Sequence, residues 1–361
     1  MNKSILCITT TLATALPGLS YADSPYFSFK DGDGFKRFSV SVGALYVKPT
    51  GNAQPLNINT VIQNGSVTKN GDIQVDTVLN NLDPSVNQTA LAGTLKFLGF
   101  FTGGNLPQAL SGSSKIDGLA QWQVKGSGLQ ADDVATFGMM SNYFFTDHVS
   151  IELKAGIPPK VDIMGQGKIT APFSAIATPQ IDKLPLEFLN IALKNDIFIT
   201  DLDAHGKAAE ARAWTPAFEF QYHFGKTGVN KFRPYIGVGL MYAYFNELKV
   251  NPALEQDLVK AGHMIANIKQ GNAGAALERK NSTANPVVEL KASDAFAPIA
   301  TVGFTYDFND KWFAVASVSY AHLKGEASIS VKDAELGQLI NAKSDIEINP
   351  ILGYAGIGYR F

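Results

Sequence analysis

The chain has 361 residues, 17% of them charged and 45% hydrophobic, with a formal net charge of −2. That balance gives no basic face for nucleic acid, so none is expected as a partner. No apolar run after residue 22 approaches the roughly 18 residues a spanning helix needs. The single cysteine is Cys7, which excludes an intrachain disulfide and a cysteine-built metal site.

Residues 1–22 read as an export signal. Lys3 is the charged start, residues 5–19 are an apolar core, and Ser20-Tyr21-Ala22 is a small-x-small site with cleavage expected before Asp23. Cys7 falls inside this leader, so the mature chain is expected to hold no thiol.

Eight segments then alternate apolar and small or polar residues. They are 37–48, 134–146, 148–157, 212–224, 232–245, 296–308, 311–323 and 346–361. A strand sends alternate side chains to opposite faces. In the last segment Ile351, Ala355, Ile357, Tyr359 and Phe361 share one face, while Leu352, Tyr354, Gly356, Gly358 and Arg360 share the other. A strand ending on Phe361 without a polar tail is a liability as a soluble sheet edge. It fits the closure of a barrel in lipid, where open edges are not tolerated.

Connections alternate between short (147–148, 225–231, 309–310) and long (49–133, 158–211, 246–295, 324–345). Short periplasmic turns with long outer loops are the pattern of outer-membrane barrels. Aromatics at strand ends, among them Phe145, Phe224, Phe308, Trp312 and Phe361, fit an interfacial girdle. The expected fold is all-β: an eight-stranded antiparallel transmembrane barrel over 23–361. A soluble two-sheet sandwich would need a second sheet to cover the aromatic face. Within the long loops, 184–193, 252–268 and 334–340 carry helix-like patterns, with Pro252 suited to a first helical turn. The apolar stretch 95–101 reads as part of a small core built by the loops themselves.

The phase opposite the aromatic face is the lumen. Its lower part offers Glu152, Glu219, His223, Arg233, Asp307 and Arg360, whose opposite charges can pair and plug a narrow barrel. Its upper part offers Leu45, Val47, Met241, Phe245, Ile299, Leu323 and Leu352. These residues either bind small apolar molecules in a funnel or simply pack beneath the loops. Pro158, Pro159 and Pro216 fall on paired neighbours near the outer end. Proline donates nothing to the ladder, so they either weaken a lateral seam or merely end strands.

Six pieces carry a family resemblance: Gly43-Ala-Leu-Tyr-Val-Lys-Pro49, Tyr143-Phe-Phe-Thr-Asp-His148, Ile151-Glu-Leu-Lys-Ala-Gly-Ile-Pro158, Lys231-Phe-Arg-Pro-Tyr-Ile-Gly-Val-Gly-Leu240, Asn309-Asp-Lys-Trp312 and Gly356-Ile-Gly-Tyr-Arg-Phe361. On these the chain resembles the OmpW family of eight-stranded outer-membrane barrels. The resemblance covers the strands and little of the loops. It implies a Gram-negative outer-membrane location and passive passage of small hydrophobic or amphipathic molecules, with a lateral exit near the third and fourth strands. It also implies an apolar constriction made by a Leu and a Trp, but the matching positions here are Lys154 and Ser319. A buried Lys154 requires a carboxylate partner, with Glu152 and Glu219 the candidates. Either the substrates are more polar or the lumen is shut at this level.

Expected partners are outer-membrane lipids and lipopolysaccharide, the barrel-assembly machinery through the strand ending at Phe361, and small hydrophobic solutes, with the barrel a monomer. Neither a cofactor nor a metal is expected, the histidines (His148, His205, His223, His263 and His322) being scattered. No Ser and acid accompany His322 on the lipid-facing phase, so a barrel hydrolase is not expected. The alternative function is a surface-exposed structural, adhesive or receptor barrel with a sealed lumen.

Overall fold

Two-residue alternation is realised in eight strands of a computed structural model that describes residues 31–361. The expected leader, with Lys3 and Cys7, lies outside the described residues. The strands are β1 (Phe38–Lys48), β2 (Val134–Phe144), β3 (Val149–Gly156), β4 (Ala217–His223), β5 (Phe232–Val250), β6 (Ala295–Asp307), β7 (Trp312–Ala321) and β8 (Ile351–Arg360). In β1, Phe38, Val42 and Tyr46 point out and are exposed, while Ser39 and Ser41 are buried. Elsewhere Phe218, Phe220, Val238, Val302 and Ile357 are exposed while Glu152, Glu219 and Arg233 are buried. Exposed apolar and buried charged side chains on one sheet invert the pattern of a soluble protein, so the solvent outside is lipid.

The strands pair antiparallel in the order β4-β3-β2-β1-β8-β7-β6-β5, and β5 returns to pair with β4, closing the barrel. β8 is held on both sides, with Ile357 opposite Val42 of β1 and Ala314 of β7. At the turn end aromatic rings touch around the outside. Phe361 lies 5.5 Å from Phe38 and 5.0 Å from Tyr359, and Tyr359 lies 5.1 Å from Trp312.

Some strand limits differ from those expected. The segment expected as one strand over 212–224 is two, Lys207–Trp214 and Ala217–His223, because Pro216 has no donor to continue the ladder. The strand expected from 346 begins at Ile351, since Asn349 adopts φ 40° and Pro350 follows. β5 runs on to Val250, where Lys207–Trp214, Lys160–Gln166 and Gly128–Ala131 add to its upper end.

The long connections are folded, not open. One sheet has the order Val287–Ala292, Lys324–Asp333, Gly337–Glu347, Leu56–Thr60 and Gln121–Val124; another has Ile191–Asp201, Lys168–Thr178, Ser113–Asp117 and Ser66–Lys69. Two principal helices accompany them, α1 (Thr89–Phe101) and α2 (Pro252–Lys269). α2 matches its expectation. Pro252 sits at the first turn, and the Asn251 side chain accepts from Ala253 N at 2.8 Å. It packs on strands of both sheets and buries Leu254, Met264, Ile265 and Ile268 in a core with Leu119, Val331 and Leu339. A Cβ at Gly262 would come within 2.8 Å of Val331, so glycine permits this close seat.

The other two helix-like stretches are not helices. Residues 184–193 hold the two-residue strand Leu184–Pro185, which pairs with Gln180–Ile181, a 3-10 turn at Glu187–Leu189, and the start of the strand at Ile191. At 334–340 the Asp333 carboxylate accepts from Glu335 N and Leu336 N, making a hairpin turn. The strand Gly337–Glu347 follows directly.

Candidate functional site: the lumen and the seam between β3 and β4

The seven residues expected to line the upper lumen are brought together. Met241, Ile299, Leu323 and Leu352 are buried in one cluster with Ala217, Ala243, Ala297 and Ala321, and Leu45, Val47 and Phe245 pack against it. Small alanines on β4 to β7 leave room that the larger side chains do not fill. An apolar cavity of about 110 Å³ runs from this cluster into the cap, past Leu129, Ile163, Leu290 and Ile346. At its outer side a wider polar opening shares Ser293, Gly325 and Glu326 with it and adds Lys324, Asp345 and Glu347.

Below this chamber the lumen turns polar within one layer. Lys154 Nζ lies 2.7 Å from Glu219 Oε1 and 3.6 Å from Glu152 Oε1, so both carboxylates considered for it are its partners. It also donates to Thr301 Oγ1 at 2.8 Å and Ser319 Oγ at 3.0 Å. Glu152 in turn accepts from Asn142 Nδ2 at 2.6 Å and Gln221 Nε2 at 2.8 Å. Burial of these charges is tolerable because each is paired and hydrogen-bonded. Gly237 makes space for it, since a Cβ there would sit 2.7 Å from Glu219 Oε2.

The floor continues to the turns. Arg360 Nη1 lies 2.7 Å from Asp307 Oδ1, and its guanidinium rests 4.2 Å above the Phe313 ring. Arg233 donates to Thr227 Oγ1 at 2.6 Å and lies 3.2 Å from Asp147 Oδ1. His223 stacks on Tyr235 at 4.8 Å and reaches Ser150 Oγ at 3.2 Å. The remaining space among Glu152, His223, Tyr235, Phe313 and Arg360 is about 10 Å³, about one water probe. Glu152, Lys154, Glu219, His223, Arg233, Asp307 and Arg360, the residues expected to plug the lumen, are all buried in its lower part. Sequence reasoning missed Asp147, Thr301 and Tyr235. Asp147 carried the only signal, an acid in a tight turn, and that signal more often marks a turn former.

Pro158, Pro159 and Pro216 sit where the barrel wall is interrupted. The β3–β4 ladder ends with Lys154 opposite Ala217. Pairing resumes higher up with Lys160 opposite Arg212, in the strands Lys160–Gln166 and Lys207–Trp214. Between these levels backbone groups on each side bond away from the other, Ile157 N to Phe137 O at 2.9 Å and Tyr242 N to Pro216 O at 2.9 Å, while the Arg212 side chain reaches across, Nη1 donating to Pro158 O at 3.4 Å. At the top Ala213 N bonds Pro159 O at 3.0 Å. A cavity of about 250 Å³ extends from Leu45, Tyr354 and Leu352 in the lumen to Pro158, Pro159, Trp214 and Pro216 in the wall. It shares Val47, Pro159, Ala213, Thr215, Met241 and Leu352 with the chamber above, and Lys154 and Ser319 form its base.

The upper rim of the gap is charged. Glu210 is clasped by Lys207 at 2.7 Å and Lys160 at 3.2 Å. The hydrogen bond from Lys207, then that from Lys160, pulls its carboxyl down to about 2. Lys207 also reaches Asp162 at 2.6 Å, and these acceptors raise its own pKa.

The model of the OmpW family matches residues 106–263 and 275–361. Outer membrane protein W of Vibrio cholerae serotype O1 is 27% identical over 236 residues, spanning 65% of this chain and 77% of that protein. The crystal structure of OprG from Pseudomonas aeruginosa aligns over 90% of this chain and 96% of its own, at 17% identity and a TM-score of 0.45. The solid-state NMR structure of AlkL in lipid bilayers aligns over 96% and 94%, at 14% identity and a TM-score of 0.39. The chain belongs to the OmpW family and is an eight-stranded barrel of the Gram-negative outer membrane.

Proposed function

We propose that this barrel passes small hydrophobic or amphipathic molecules by an interrupted route. They enter through the opening at Lys324 and Glu347, rest in the chamber of Met241, Ile299 and Leu352, and leave sideways between β3 and β4 into the bilayer. The observation that carries the reading is the continuity of apolar space from chamber to wall, with Val47, Ala213, Met241 and Leu352 bordering both cavities. Two further features support it. Axial passage is opposed by the buried Lys154–Glu219 layer and the filled floor, and the β3–β4 ladder is interrupted between the Lys154–Ala217 pair and the Ala213–Pro159 bond. No cofactor or energy source is required for movement from water into lipid, since burial of apolar area drives it.

Uptake of an alkane or a monocyclic aromatic by cells expressing the barrel, against cells with an empty vector, tests the reading. Thr215→Trp, which fills the space common to both cavities, is expected to abolish the difference while surface expression persists. Equal uptake with and without the folded barrel overturns transport. That outcome favours the second reading, a surface-presented receptor or adhesive barrel, for which the folded cap with its own core speaks. As further parts of this proposal, the barrel works as a monomer, meets lipopolysaccharide on its outer leaflet face, and is assembled through the strand ending at Phe361.

A further inference from the structure

We infer that the extracellular cap holds a second ligand site, separate from the barrel, for a small uncharged hydrocarbon of about the size of benzene. Its seat is a cavity of about 170 Å³ roofed by α1 and walled by Ile116, Phe173, Leu193 and Leu277. None of its lining residues borders the barrel chamber or the seam cavity.

The size and chemistry of the space identify the occupant. Protein interiors leave few voids larger than a water molecule. An apolar cavity of about 150 Å³ lined by Leu, Ile and Phe stays dry and binds benzene. The few polar side chains in this wall are already engaged, Ser111 Oγ with Gly71 O and Thr94 Oγ1 with Ala90 O among them. Ser114 Oγ donates to Asn70 Oδ1 at 2.6 Å, and Asn70 Nδ2 donates to Ser111 O at 2.5 Å. A water or a polar ligand would therefore find little to bond, whereas a hydrocarbon needs nothing more.

The roof is built to admit such a molecule. Leu95 and Leu98 of α1 face the cavity, while Phe97, Phe100 and Phe101 stand exposed on the other side. The Phe101 ring touches both others, Phe97 at 4.9 Å and Phe100 at 5.5 Å. Large apolar side chains are ordinarily buried; here these three front water and offer an adsorbing surface beside the cavity. α1 also carries Gly93 and Gly99, and no side chain caps its first turn. Both weaken a short helix, so displacing the roof costs little. Leu98 is only partly covered and marks the mouth.

The test uses the full chain in lipid nanodiscs with fluorobenzene as probe, read by 19F NMR against nanodiscs of lipid alone. A bound resonance beyond the lipid signal is expected from the cap. Ala177→Phe, whose side chain enters the cavity wall, is expected to remove it. Leu352→Trp, in the barrel chamber, is expected to leave it in place. Leu98→Ala, at the half-exposed mouth, is expected to shift the same resonance and serves if Ala177→Phe fails to fold. A bound signal that disappears with Leu352→Trp and ignores both cap variants overturns the cap site while preserving transport. The absence of any protein-bound signal overturns the cap site too. A cap signal without any chamber signal upholds it and counts against the barrel reading alone.

Discussion

Lys154 on β3 and Ser319 on β7 meet across the lumen, Nζ donating to Oγ at 3.0 Å. These are the positions at which the family resemblance implied an apolar pair. Together with Thr301 and Glu219 they close a polar layer directly beneath Leu352 and Met241. The pair thus marks the level at which the apolar part of the lumen ends, and the β3–β4 ladder stops at that same level, with Lys154 opposite Ala217.

Removing the cation while leaving the carboxylate is the sharpest perturbation of this layer. Lys154→Met strands Glu219, which is fully buried. Breaking a buried pair from one side costs about 3–5 kcal/mol. Lys154→Met with Glu219→Gln removes the closer pair, leaves Glu152 with its bonds from Asn142 and Gln221, and is expected to recover part of that loss. Urea unfolding of the barrel in lipid vesicles gives the double-mutant cycle. Equal destabilisation by the single and double variants would show that the ion pair is not what holds the layer.

A pH effect is expected at the seam's upper rim. Glu210 has its carboxyl pulled down to about 2 by Lys207 and Lys160, below the ordinary value of about 4.3. A depressed acid contributes stability that is fully present above its ordinary pKa and is lost as pH falls through the folded value. Amide exchange in the strands Lys160–Gln166 and Lys207–Trp214 is therefore expected to quicken between about pH 4 and pH 2. Glu210→Gln should abolish that step. The same step in the variant would sink the assignment.

The barrel was legible because lipid outside and a packed lumen inside impose strict alternation. Leu352 and Arg360 could be placed in the lumen from the terminal strand alone, and Pro216 could be marked as an interruption. What resisted was anything set by distant pairing. Lys168–Thr178 alternates Ile169, Ala171, Phe173, Ala175 and Ala177 inward, yet its small alanines and Pro172 made it read as loop. Its partners lie at Ser113–Asp117 and Ile191–Asp201, and Asn57 pairs with Lys343. Such contacts leave no local periodic signal. Asp147 was hidden for another reason: its partner Arg233 lies just past the next short turn, 86 residues on, and only the folded barrel brings them together.

The cap is expected to fail while the barrel stays folded. Ile265 of α2 is buried between the two cap sheets. Ile265→Ala should cost the cap about 2–5 kcal/mol through lost contacts and a cavity. β1 to β8 make their ladders without this side chain, so the barrel should keep its resistance to unfolding in detergent. Limited proteolysis of intact cells is expected to cut the variant within 246–295, leaving a barrel core that still migrates as folded. Simultaneous loss of both would make cap and barrel one cooperative unit.

Arg233 tests whether the floor depends on geometry or on charge. Its guanidinium donates to Thr227 Oγ1 at 2.6 Å and to Asp147 O at 2.5 Å while facing Asp147 Oδ1 at 3.2 Å. Asp147 itself accepts from Thr227 N at 2.9 Å and Gly32 N at 3.0 Å. One carboxylate and one guanidinium therefore tie two turns and the start of the described chain together. A lysine keeps the charge but cannot present donors in a planar fork. Arg233→Lys is expected to lose about 1.5–3 kcal/mol, the worth of a hydrogen bond to a charged group. Amide exchange should quicken first at 225–231, where Thr227 would lose one of its bonds and keep those to Asp147, while the Lys154 layer is unchanged. Full stability in Arg233→Lys would mean that charge alone suffices at the floor, and an equal loss in the Lys154 layer would mean that the column acts as one network.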